Sequence, residues 1–388
     1  TVVSNNGYFI NTTSNACTIT LPSSASAGDQ IILADYARNW ATNAITIDSN
    51  GLLFQGETDA FIVDYDTNGQ AVNLVYSGAT VGWTPASDIV SAFEPVAPTI
   101  QRAIFAFGFT SSNVSMSNLV SSSGVVGSDV TGVGTARHYL AAVSYGGDKA
   151  IFGYGENASG YVSMTNLVNN SGVVAADVSG VGTARTGLAA ASYGGDKAIF
   201  GYGQIDGGAK SSLTNLVGNT GTVASDVSGV GTARAYLAAA SYGGDKAIFG
   251  YGETGSYVSM TNLVNNSGVV AADVTGVGTA RRLLAAAGYG EDKAIFGYGQ
   301  SSGGYVSMTN LVNSSGVVAA DVSGVGTARR LLAAASYGGD KAIFGYGFTG
   351  SNVSMSNLVN NSGVVAADVT GVGTARYALG AAGYSYSA

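Results

Sequence analysis

The sequence predicts an all-β protein in which a six-bladed β-propeller follows a small β-sandwich-like domain. Three observations predict this fold. The 388-residue chain contains 58 Gly and only 10% charged residues, as expected for many short strands joined by tight turns. One β-rich unit recurs six times at intervals of 47 to 49 residues. The array of units also begins and ends in the middle of a unit, which allows its two ends to pair.

Composition and charge exclude several classes of function. The net charge is −8 and no basic patch is visible, which argues against binding to nucleic acid or to anionic membrane surfaces. No apolar run approaches the roughly 18 residues that cross a bilayer, so membrane insertion is not expected. One Cys and one His form neither an internal disulfide nor a typical zinc site, and no metal or other cofactor is expected. Because the chain starts at Thr1 and not at Met, we expect a processed protein or a fragment.

The repeated unit is defined by a short motif. Arg-Ala-Ile-Phe occurs once and Lys-Ala-Ile-Phe five times, beginning at Arg102, Lys149, Lys197, Lys246, Lys293 and Lys341. Each unit is expected to contain four strands: a (LAAASYG), b (KAIFGYG), c (VSMTNLVN) and d (GVVAADV). Gly-Gly-Asp between a and b, and Asn-Asn-Ser-Gly between c and d, are typical of tight hairpin turns. Four hairpin-linked strands in about 47 residues match one propeller blade.

The two ends of the array are complementary. The array opens on a strand b, at residues 102–108, without a preceding strand a. It finishes on an unpaired strand a, LGAAGYSYSA, at residues 379–388. We expect this last strand to complete the first blade and so to remove the open edges. A linear solenoid is the alternative, but it would need capping repeats at its ends, where this array has two half-units.

The unit resembles the kelch repeat over about residues 101–388. The resemblance lies in the order of Thr-Ala-Arg, a small-residue strand, a turn, an Ile-Phe strand ending in Gly, and a polar strand pair. The unit departs from the family in two respects. The family's double Gly is Gly-Tyr-Gly here, and its Trp is absent because Trp40 and Trp83 lie outside the array. The resemblance therefore implies a kelch-like propeller architecture and no particular kelch partner.

Each unit also carries one Arg, which ends Thr-Ala-Arg, and one Asp before it. A six-fold ring of such charges could form an anion site. Repetition in every unit favours a structural ion pair or turn hydrogen bond, because a single active site would break the symmetry. The Arg residues are Arg137, Arg185, Arg234, Arg281, Arg329 and Arg376. The Asp residues are Asp129, Asp177, Asp226, Asp273, Asp321 and Asp368.

The six units differ mainly in two windows: the b–c loop and the pair of residues after Thr-Ala-Arg. In an up-and-down blade both windows lie at the same end, so they should form one variable face rich in common contact residues. Neutral drift in loops is the alternative, although drift should also affect the turns at the other end, which differ less. The residues predicted to bind a ligand are Phe109, His138, Tyr139, Tyr161, Tyr236, Tyr257, Arg282, Tyr305, Arg330, Phe348 and Tyr377.

Residues 1–84 do not share the repeat and are expected to form the small β-domain, for attachment or oligomerisation. Residues 85–100, with three Pro and little periodicity, are expected to be a linker before the propeller at residues 101–388. The first region alternates apolar and polar residues in short strand-like stretches: Tyr8–Ile10, Cys17–Leu21, Gln30–Ala34, Ala44–Ile47, Ala60–Tyr65 and Ala71–Tyr76.

This first region resembles β-domains of phage virion proteins, particularly tail-fibre and related appendage proteins of marine phages. The residues that carry the resemblance are GYFINTTSNACTITLPSSASAGDQIILADYARNWATNAITID and NGQAVNLVYSGATVGW. The array of KAIFGYG units also resembles what such phage proteins carry. The resemblance implies a virion structural protein, in a homotrimeric fibre or spike, that contacts other virion proteins.

Motifs of metal or catalytic chemistry are weak in this sequence. The segment DYDTNG at residues 64–69 matches the start of a calcium loop, but Val75 stands where the twelfth residue should be Glu, which favours a β-hairpin turn. A Ser-His-Asp triad would depend on His138, which only one unit has. A glycosidase needs two placed carboxylates, for which Glu156 and Glu253 are the candidates on the variable face. We expect no enzyme activity, with a polysaccharide-degrading enzyme as the alternative.

Taken together, the sequence favours a phage virion appendage protein, a tail fibre or spike located in the virion. Its first domain would attach to the particle, and its propeller would display a face that binds a host cell-surface glycan or protein. The alternative is a secreted, extracellular bacterial lectin or adhesin with the same propeller. A trimeric or particle-bound state favours the first hypothesis, whereas a soluble monomer that binds sugar favours the second.

Overall fold

The computed structural model describes residues 1–57, 63–89 and 100–386. The chain divides into two compact units, Thr1–Pro98 and Thr99–Ala388. Both are built from β-strands, and the described residues add one short 3₁₀ segment at Asp206–Gly208. The expected all-β class is therefore confirmed. Within the same residues, no helix is long and apolar enough to span a membrane.

Seven strands form two sheets in the first unit. They are β1 (Asn6–Ile10), β2 (Cys17–Thr20), β3 (Gln30–Asp35), β4 (Ile45–Asp48), β5 (Val63–Tyr65), β6 (Ala71–Tyr76) and β7 (Trp83–Ile89). One sheet has the order β1-β3-β6-β7 and the other β2-β4-β5. The pairs β1–β3 and β2–β4 are parallel, and the other pairs are antiparallel. Alternate residues of both sheets pack into one core, in which Trp40 and Trp83 are completely buried.

Each of the six stretches predicted for this unit contains a strand, although residues 60–62 lie outside the described part. The hairpin expected at residues 64–69 is wrong, because β5 and β6 belong to different sheets. The segment instead carries the chain from one sheet to the other. The buried carboxylate of Asp35 fixes this crossing, since its Oδ2 accepts hydrogen bonds from the backbone N–H of Gly69 and of Trp40, at 3.0 and 3.2 Å.

Strand β7 reaches Ile89, so the segment 85–100 that was expected to be a linker begins inside a strand. Proline is tolerated there for two reasons. Strand β7 lies at the edge of its sheet, and the pairing shifts register between Asn73 and Leu74, where Leu74 lies opposite Pro85. The rest of the expected linker, residues 90–99, falls outside the described residues.

The second unit contains six three-stranded antiparallel sheets with the order a-b-c. The a strands are Ala141–Tyr145, Ala189–Tyr193, Ala238–Tyr242, Ala285–Tyr289, Ala333–Tyr337 and Gly380–Tyr386. The b strands are Ile100–Ala106, Lys149–Gly153, Lys197–Gly201, Lys246–Gly250, Lys293–Gly297 and Lys341–Phe348. The c strands are Ser117–Val120, Thr165–Val168, Thr214–Val217, Thr261–Val264, Thr309–Val312 and Asn352–Val359.

The fourth strand predicted for each unit, strand d, does not form a continuous ladder. In the second of the six repeats, Val174 and Val178 make isolated bridges to Val168 and Thr165. Four steps along segment d therefore lie opposite three steps along strand c. The extra residue produces a bulge. The side chain of Asn166 in strand c fills it, because its Nδ2 donates to the carbonyl oxygen of Ala175 at 3.0 Å. The same pattern recurs in the other units.

The last strand of the chain completes the first sheet, as predicted. Gly380–Tyr386 pairs antiparallel with Ile100–Ala106, from Gly380 opposite Ala106 to Tyr386 opposite Ile100. The pairing joins residues about 280 positions apart, so the open strand edge that begins the array is covered by its end.

Backbone hydrogen bonds then join neighbouring units in two closed cycles. In the first cycle, the second residue after Thr-Ala-Arg donates its N–H to the equivalent carbonyl of the preceding unit, at 2.7 to 3.0 Å: Tyr139, Gly187, Tyr236, Leu283, Leu331 and Ala378. In the second cycle, the donors lie in the a–b turns and in the last strand, at 2.7 to 3.0 Å: Gly146, Gly194, Gly243, Gly290, Gly338 and Ser385. Both cycles return to their first member.

Side chains repeat the same cyclic arrangement in the core. The Phe of each strand b packs against the aromatic residue that follows strand b of the preceding unit, with ring centroids 5.1 to 5.4 Å apart. This packing explains the first Gly of Gly-Tyr-Gly. A Cβ added to Gly201, for example, would lie 2.8 Å from the Cζ atom of Phe249. The motif KAIFGYG is therefore a contact between units as well as a strand.

Candidate functional site

The two variable windows of each unit lie side by side. The first residue after Thr-Ala-Arg pairs antiparallel with the first residue of the b–c loop in the same sheet. The pairs are Tyr377–Phe109, His138–Glu156, Thr186–Gln204, Ala235–Glu253, Arg282–Gln300 and Arg330–Phe348. The expectation that both windows lie at the same end is confirmed, whereas the role of their residues in binding stays a prediction.

The second residue after Thr-Ala-Arg has a left-handed backbone in all six units, with φ from 53° to 60°. This conformation directs its N–H to the preceding unit in the first hydrogen-bond cycle. Together with the Leu that follows each of them, the six residues line a depression of about 80 Å³. Tyr139 and Tyr236 are two of these six residues, and the other four are small or aliphatic.

A continuous path of aromatic side chains crosses the variable face. Successive ring centroids are 4.7 to 6.4 Å apart along Tyr236, Tyr139, His138, Phe109, Tyr377, Phe348 and Tyr305. Most pairs are tilted or edge-to-face, the geometries that aromatic rings prefer. All seven side chains are half-buried, so each ring has one part in the packing and another part open to solvent.

Three cationic side chains adjoin this path, and two of them share one carboxylate. Arg282 forms an ion pair with Glu253, and the Lys210 Nζ lies 3.5 Å from the same carboxylate. The Arg282 guanidinium lies 5.0 Å from the centroid of the Tyr257 ring, and the Lys210 Nζ lies 5.1 Å from that of Tyr236. These cation–π contacts join the charged residues to the aromatic path.

The third cation, Arg330, has a different environment. Its guanidinium lies 5.0 Å from the Tyr305 ring centroid and 5.6 Å from that of Phe348. Its Nη1 donates a hydrogen bond of 2.6 Å to the side-chain oxygen of Gln300. No carboxylate lies within 4 Å of it among the residues that the structure describes. Arg330 therefore carries a positive charge that no neighbouring residue neutralises.

Tyr161 joins the same surface through a hydrogen bond. Its hydroxyl accepts a bond of 3.0 Å from the Gln204 side chain, whose oxygen in turn accepts one of 2.9 Å from Lys210. With this link, all eleven residues predicted to bind a ligand belong to one connected set of side chains. We call this set, with Gln204, Lys210, Glu253 and Gln300, the recognition surface.

Burial shifts the pKa values of three members of the recognition surface. It raises the pKa of Tyr139 to about 12, with a smaller contribution from the neighbouring Tyr236. It also raises the pKa of Tyr236, and it lowers the pKa of His138 below its usual 6.5. The phenols are therefore neutral hydrogen-bonding groups at pH 7, and the His138 imidazole is neutral as well.

The sequence placed Glu253 on the variable face but did not identify Gln204, Lys210 or Gln300 as members of this surface. Lys210 takes the place that Tyr161, Tyr257 and Tyr305 occupy in other units, at the end of a b–c loop that is longer in its own unit. Its position was visible in the alignment of the units as a change from aromatic to cationic. Its contact with Glu253 of the next unit was not, because that contact depends on how neighbouring units pack.

The catalytic candidates are engaged in other interactions. The His138 Nδ1 lies 3.1 Å from the backbone carbonyl oxygen of Glu156, and its ring packs against Phe109 and Tyr139. Glu253 is paired with two cations. The structure thus places Glu253 and His138 in the packing of the recognition surface.

The Arg and Asp residues that every unit repeats lie apart from this surface, between units. Each Arg side chain is completely buried and packs over the aromatic residue after strand b of the preceding unit, 4.2 to 4.8 Å from the ring centroid. Each Asp accepts a hydrogen bond of 2.6 Å from the Thr hydroxyl of the Thr-Ala-Arg motif that precedes strand a of its own sheet. In five units the Arg Nη1 and the Asp Oδ1 are 3.9 to 4.0 Å apart. This arrangement supports a structural role for these charges, because all six guanidinium groups are enclosed in the protein and none is open to a ligand.

Comparison with known proteins identifies no relative from which a role could be transferred. No family model matches the chain. No curated protein is significantly similar to it.

Proposed function

We propose that this chain is a phage virion appendage protein, a tail fibre or spike, that recognises a host cell surface through its recognition surface. In this proposal the second unit is a six-bladed kelch-like β-propeller. Six equivalent sheets, the pairing of the last strand with the first strand b, and two hydrogen-bond cycles that return to their start support that architecture.

One observation carries the proposed recognition role. The six units are nearly identical except in two windows, and the residues of those windows meet in one connected surface. Loops on a rigid scaffold are where binding usually resides, because the scaffold fixes their position without constraining their side chains. Neutral drift would scatter the differing residues over the surface of the array, whereas here they are joined by ring contacts and hydrogen bonds.

The chemistry of the surface suits a glycan. Aromatic rings offer flat apolar faces, and the neutral Tyr hydroxyls and the amides of Gln204 and Gln300 offer donors and acceptors beside them. A sugar ring presents the complementary mixture of C–H faces and hydroxyls. The depression of about 80 Å³ is small, so the contact is shallow and its affinity per site is expected to be low. Several copies on one particle would then bind through avidity.

The virion location and the homotrimeric state rest on the resemblance of the first 84 residues to appendage domains. In the proposal the first unit attaches to the particle or trimerises, and the protein acts by binding, not by catalysis. The ion pairs of Glu253 support the proposal of binding without catalysis, because Lys210 and Arg282 already contact this carboxylate. The same recognition surface would serve a secreted lectin, and the mass of the native protein by light scattering distinguishes a trimer from a monomer.

The test is a glycan-array and host-cell binding assay on the full chain and on a triple variant. Tyr139→Ala, Tyr236→Ala and Tyr257→Asn introduce residues that other units already carry at the equivalent positions, namely Ala378 and Asn352. The fold is therefore expected to survive, which circular dichroism checks. The control variant replaces Lys149, Lys246 and Lys341 by Ala in the turns at the other end.

We expect the triple Tyr variant to lose at least about tenfold in binding and the control to bind normally. If the folded triple variant binds as well as the wild type, recognition takes place elsewhere. If the wild type binds no glycan and no host cell, a purely structural role replaces the proposal.

A further inference from the structure

Two equivalent arginines of the recognition surface differ in their charge environment. Arg282 and Arg330 both follow Thr-Ala-Arg, and both guanidinium groups lie 5.0 Å from the ring of a Tyr in the preceding unit. The b–c loop of that preceding unit begins with Glu253 beside Arg282 and with Gln300 beside Arg330. The two sites therefore share their geometry, while only the first has a carboxylate beside its guanidinium, which Lys210 shares.

The hydrogen bonds of Arg282 and Arg330 differ in the same way. Arg282 donates to the Glu253 carboxylate, and Arg330 donates to the neutral amide oxygen of Gln300 at 2.6 Å. The Arg330 Nη2 has no acceptor among the residues that the structure describes. Rings on two sides, Tyr305 and Phe348, hold the guanidinium in place, with Phe348 5.6 Å from Tyr377. An arginine positioned in this way can donate charge-assisted hydrogen bonds to an anion at little further cost in side-chain entropy.

We propose that Arg330 forms the subsite for the anionic group of an acidic glycan, a carboxylate or a sulfate ester. The sugar ring that carries the group packs on the aromatic path beside Tyr305, Phe348 and Tyr377, and its anionic group accepts hydrogen bonds from the guanidinium. Arg282 is not assigned such a subsite, because the Glu253 carboxylate beside its guanidinium would repel an anion. This inference rests on the proposed function of the recognition surface as a glycan-binding site.

The experiment compares charge variants of the two equivalent sites in the full chain. Gln300→Glu turns the Arg330 site into a copy of the Arg282 site, and Arg330→Ala introduces the residue that Ala235 provides in another unit. Arg282→Ala is the matched control. The probes are oligogalacturonate with its methyl ester, and dextran sulfate with unmodified dextran, each titrated by calorimetry at low and at high salt.

We expect the wild type to bind at least one anionic probe about tenfold more tightly than its neutral partner, because a charge-assisted hydrogen bond contributes on that scale. Gln300→Glu and Arg330→Ala should abolish this preference. Arg282→Ala should keep the ratio between the anionic and the neutral probe, although the affinity for both can fall because Arg282 belongs to the recognition surface. Added salt should weaken binding of the anionic probe and leave neutral binding unchanged. The two probe pairs show whether the group is a carboxylate or a sulfate.

Three outcomes overturn the inference in distinguishable ways. Equal binding of anionic and neutral probes, unchanged in Gln300→Glu, refutes the anionic subsite and leaves a glycan-binding surface in place. Binding to no probe, and to no glycan or host cell in the wider assay, refutes the subsite together with the proposed function. Loss of the preference in Arg282→Ala as much as in Arg330→Ala also refutes it, because the two sites would then be equivalent.

Discussion

Replacing Arg281 by Met tests whether the repeated arginines stabilise the array. Arg281 is completely buried between two units. Its Nε donates to the backbone carbonyl oxygen of Tyr298 at 3.0 Å, and its Nη2 donates to the Asn310 side-chain oxygen at 2.7 Å. Met retains much of the length of the side chain and removes these donors, together with Nη1, which donates to the backbone carbonyl oxygen of Thr279 at 3.2 Å. The two buried acceptors therefore lose these partners.

The magnitude follows from these two bonds. A hydrogen bond from a charged donor contributes roughly 1.5–3 kcal/mol, so two of them amount to roughly 3–6 kcal/mol. Burial lowers the pKa of Arg281, which shows that its charged guanidinium pays a desolvation penalty. Replacing Arg281 by Met removes this penalty, so part of the lost hydrogen-bond energy is offset. We expect the free energy of unfolding to fall by about 3 kcal/mol, or the melting temperature by roughly 6 °C for an array of this size.

The assay is calorimetry, or circular dichroism on heating. Fluorescence of Trp is unsuitable, because both Trp40 and Trp83 belong to the first unit. The control is Arg282→Met at the next position, where the side chain is half-buried on the recognition surface; it should change stability by less than about 1 kcal/mol. If Arg281→Met melts at the same temperature as the wild type, the hydrogen bonds of the buried arginine contribute nothing to stability, and the structural interpretation of the arginines is refuted.

Two further predictions concern pH and the closing strand. Hydrogen bonds from Thr and Asn hold the pKa of all six repeated Asp carboxyls below 3.8, although burial acts in the opposite direction. The stability that the ionised carboxylates contribute is therefore complete well above pH 3.8 and is lost as the pH falls through and below that value. Melting temperatures between pH 6 and pH 2.5 should show this decline, and Asp321→Asn should make it shallower; an identical decline in that variant would contradict the assignment. Deleting residues 380–388 exposes the edge of strand b at Ile100–Ala106 and should cause self-association, measured by light scattering, which a synthetic peptide of the deleted sequence reverses. A truncated chain with the same mass and melting temperature as the full chain would show that the pairing of the last strand is dispensable.

The sequence predicted the parts of the fold that depend on local pattern. Strands a and b were found because each is a short apolar run bounded by Gly, and closure was found because the array ends in complementary half-units. The irregular pairing of strand d could not be predicted in the same way. Its run GVVAADV has the composition of a strand, but the Asn166 side chain in strand c takes the Ala175 carbonyl that a regular ladder would use. The competition becomes visible only when both segments are placed together.

The candidate site was predictable in outline for a related reason. Comparing six copies of one unit identified both variable windows, and their common end followed from the direction of the strands. The charge balance within the site did not follow. Glu253 and Gln300 are single differences in a loop, and their consequence for Arg282 and Arg330 depends on the packing of one unit against the next. The contacts between units must therefore be known before Arg330, which has no carboxylate beside it, can be distinguished from Arg282, which is paired with Glu253.

The same packing explains why the units differ where they do. A substitution at Gly201 would push a new Cβ against Phe249 of the next unit, and a change at a buried Arg would leave acceptors of the next unit without a donor, so these positions are constrained from both sides. The recognition surface joins its units through the first hydrogen-bond cycle, which uses only backbone N–H and carbonyl groups. Any residue that tolerates φ near 55° provides these groups, and the six positions accordingly hold Tyr, Gly, Leu and Ala. Because the connection between units does not depend on the side chain there, these side chains are free to differ without weakening the hydrogen bonds that join the units.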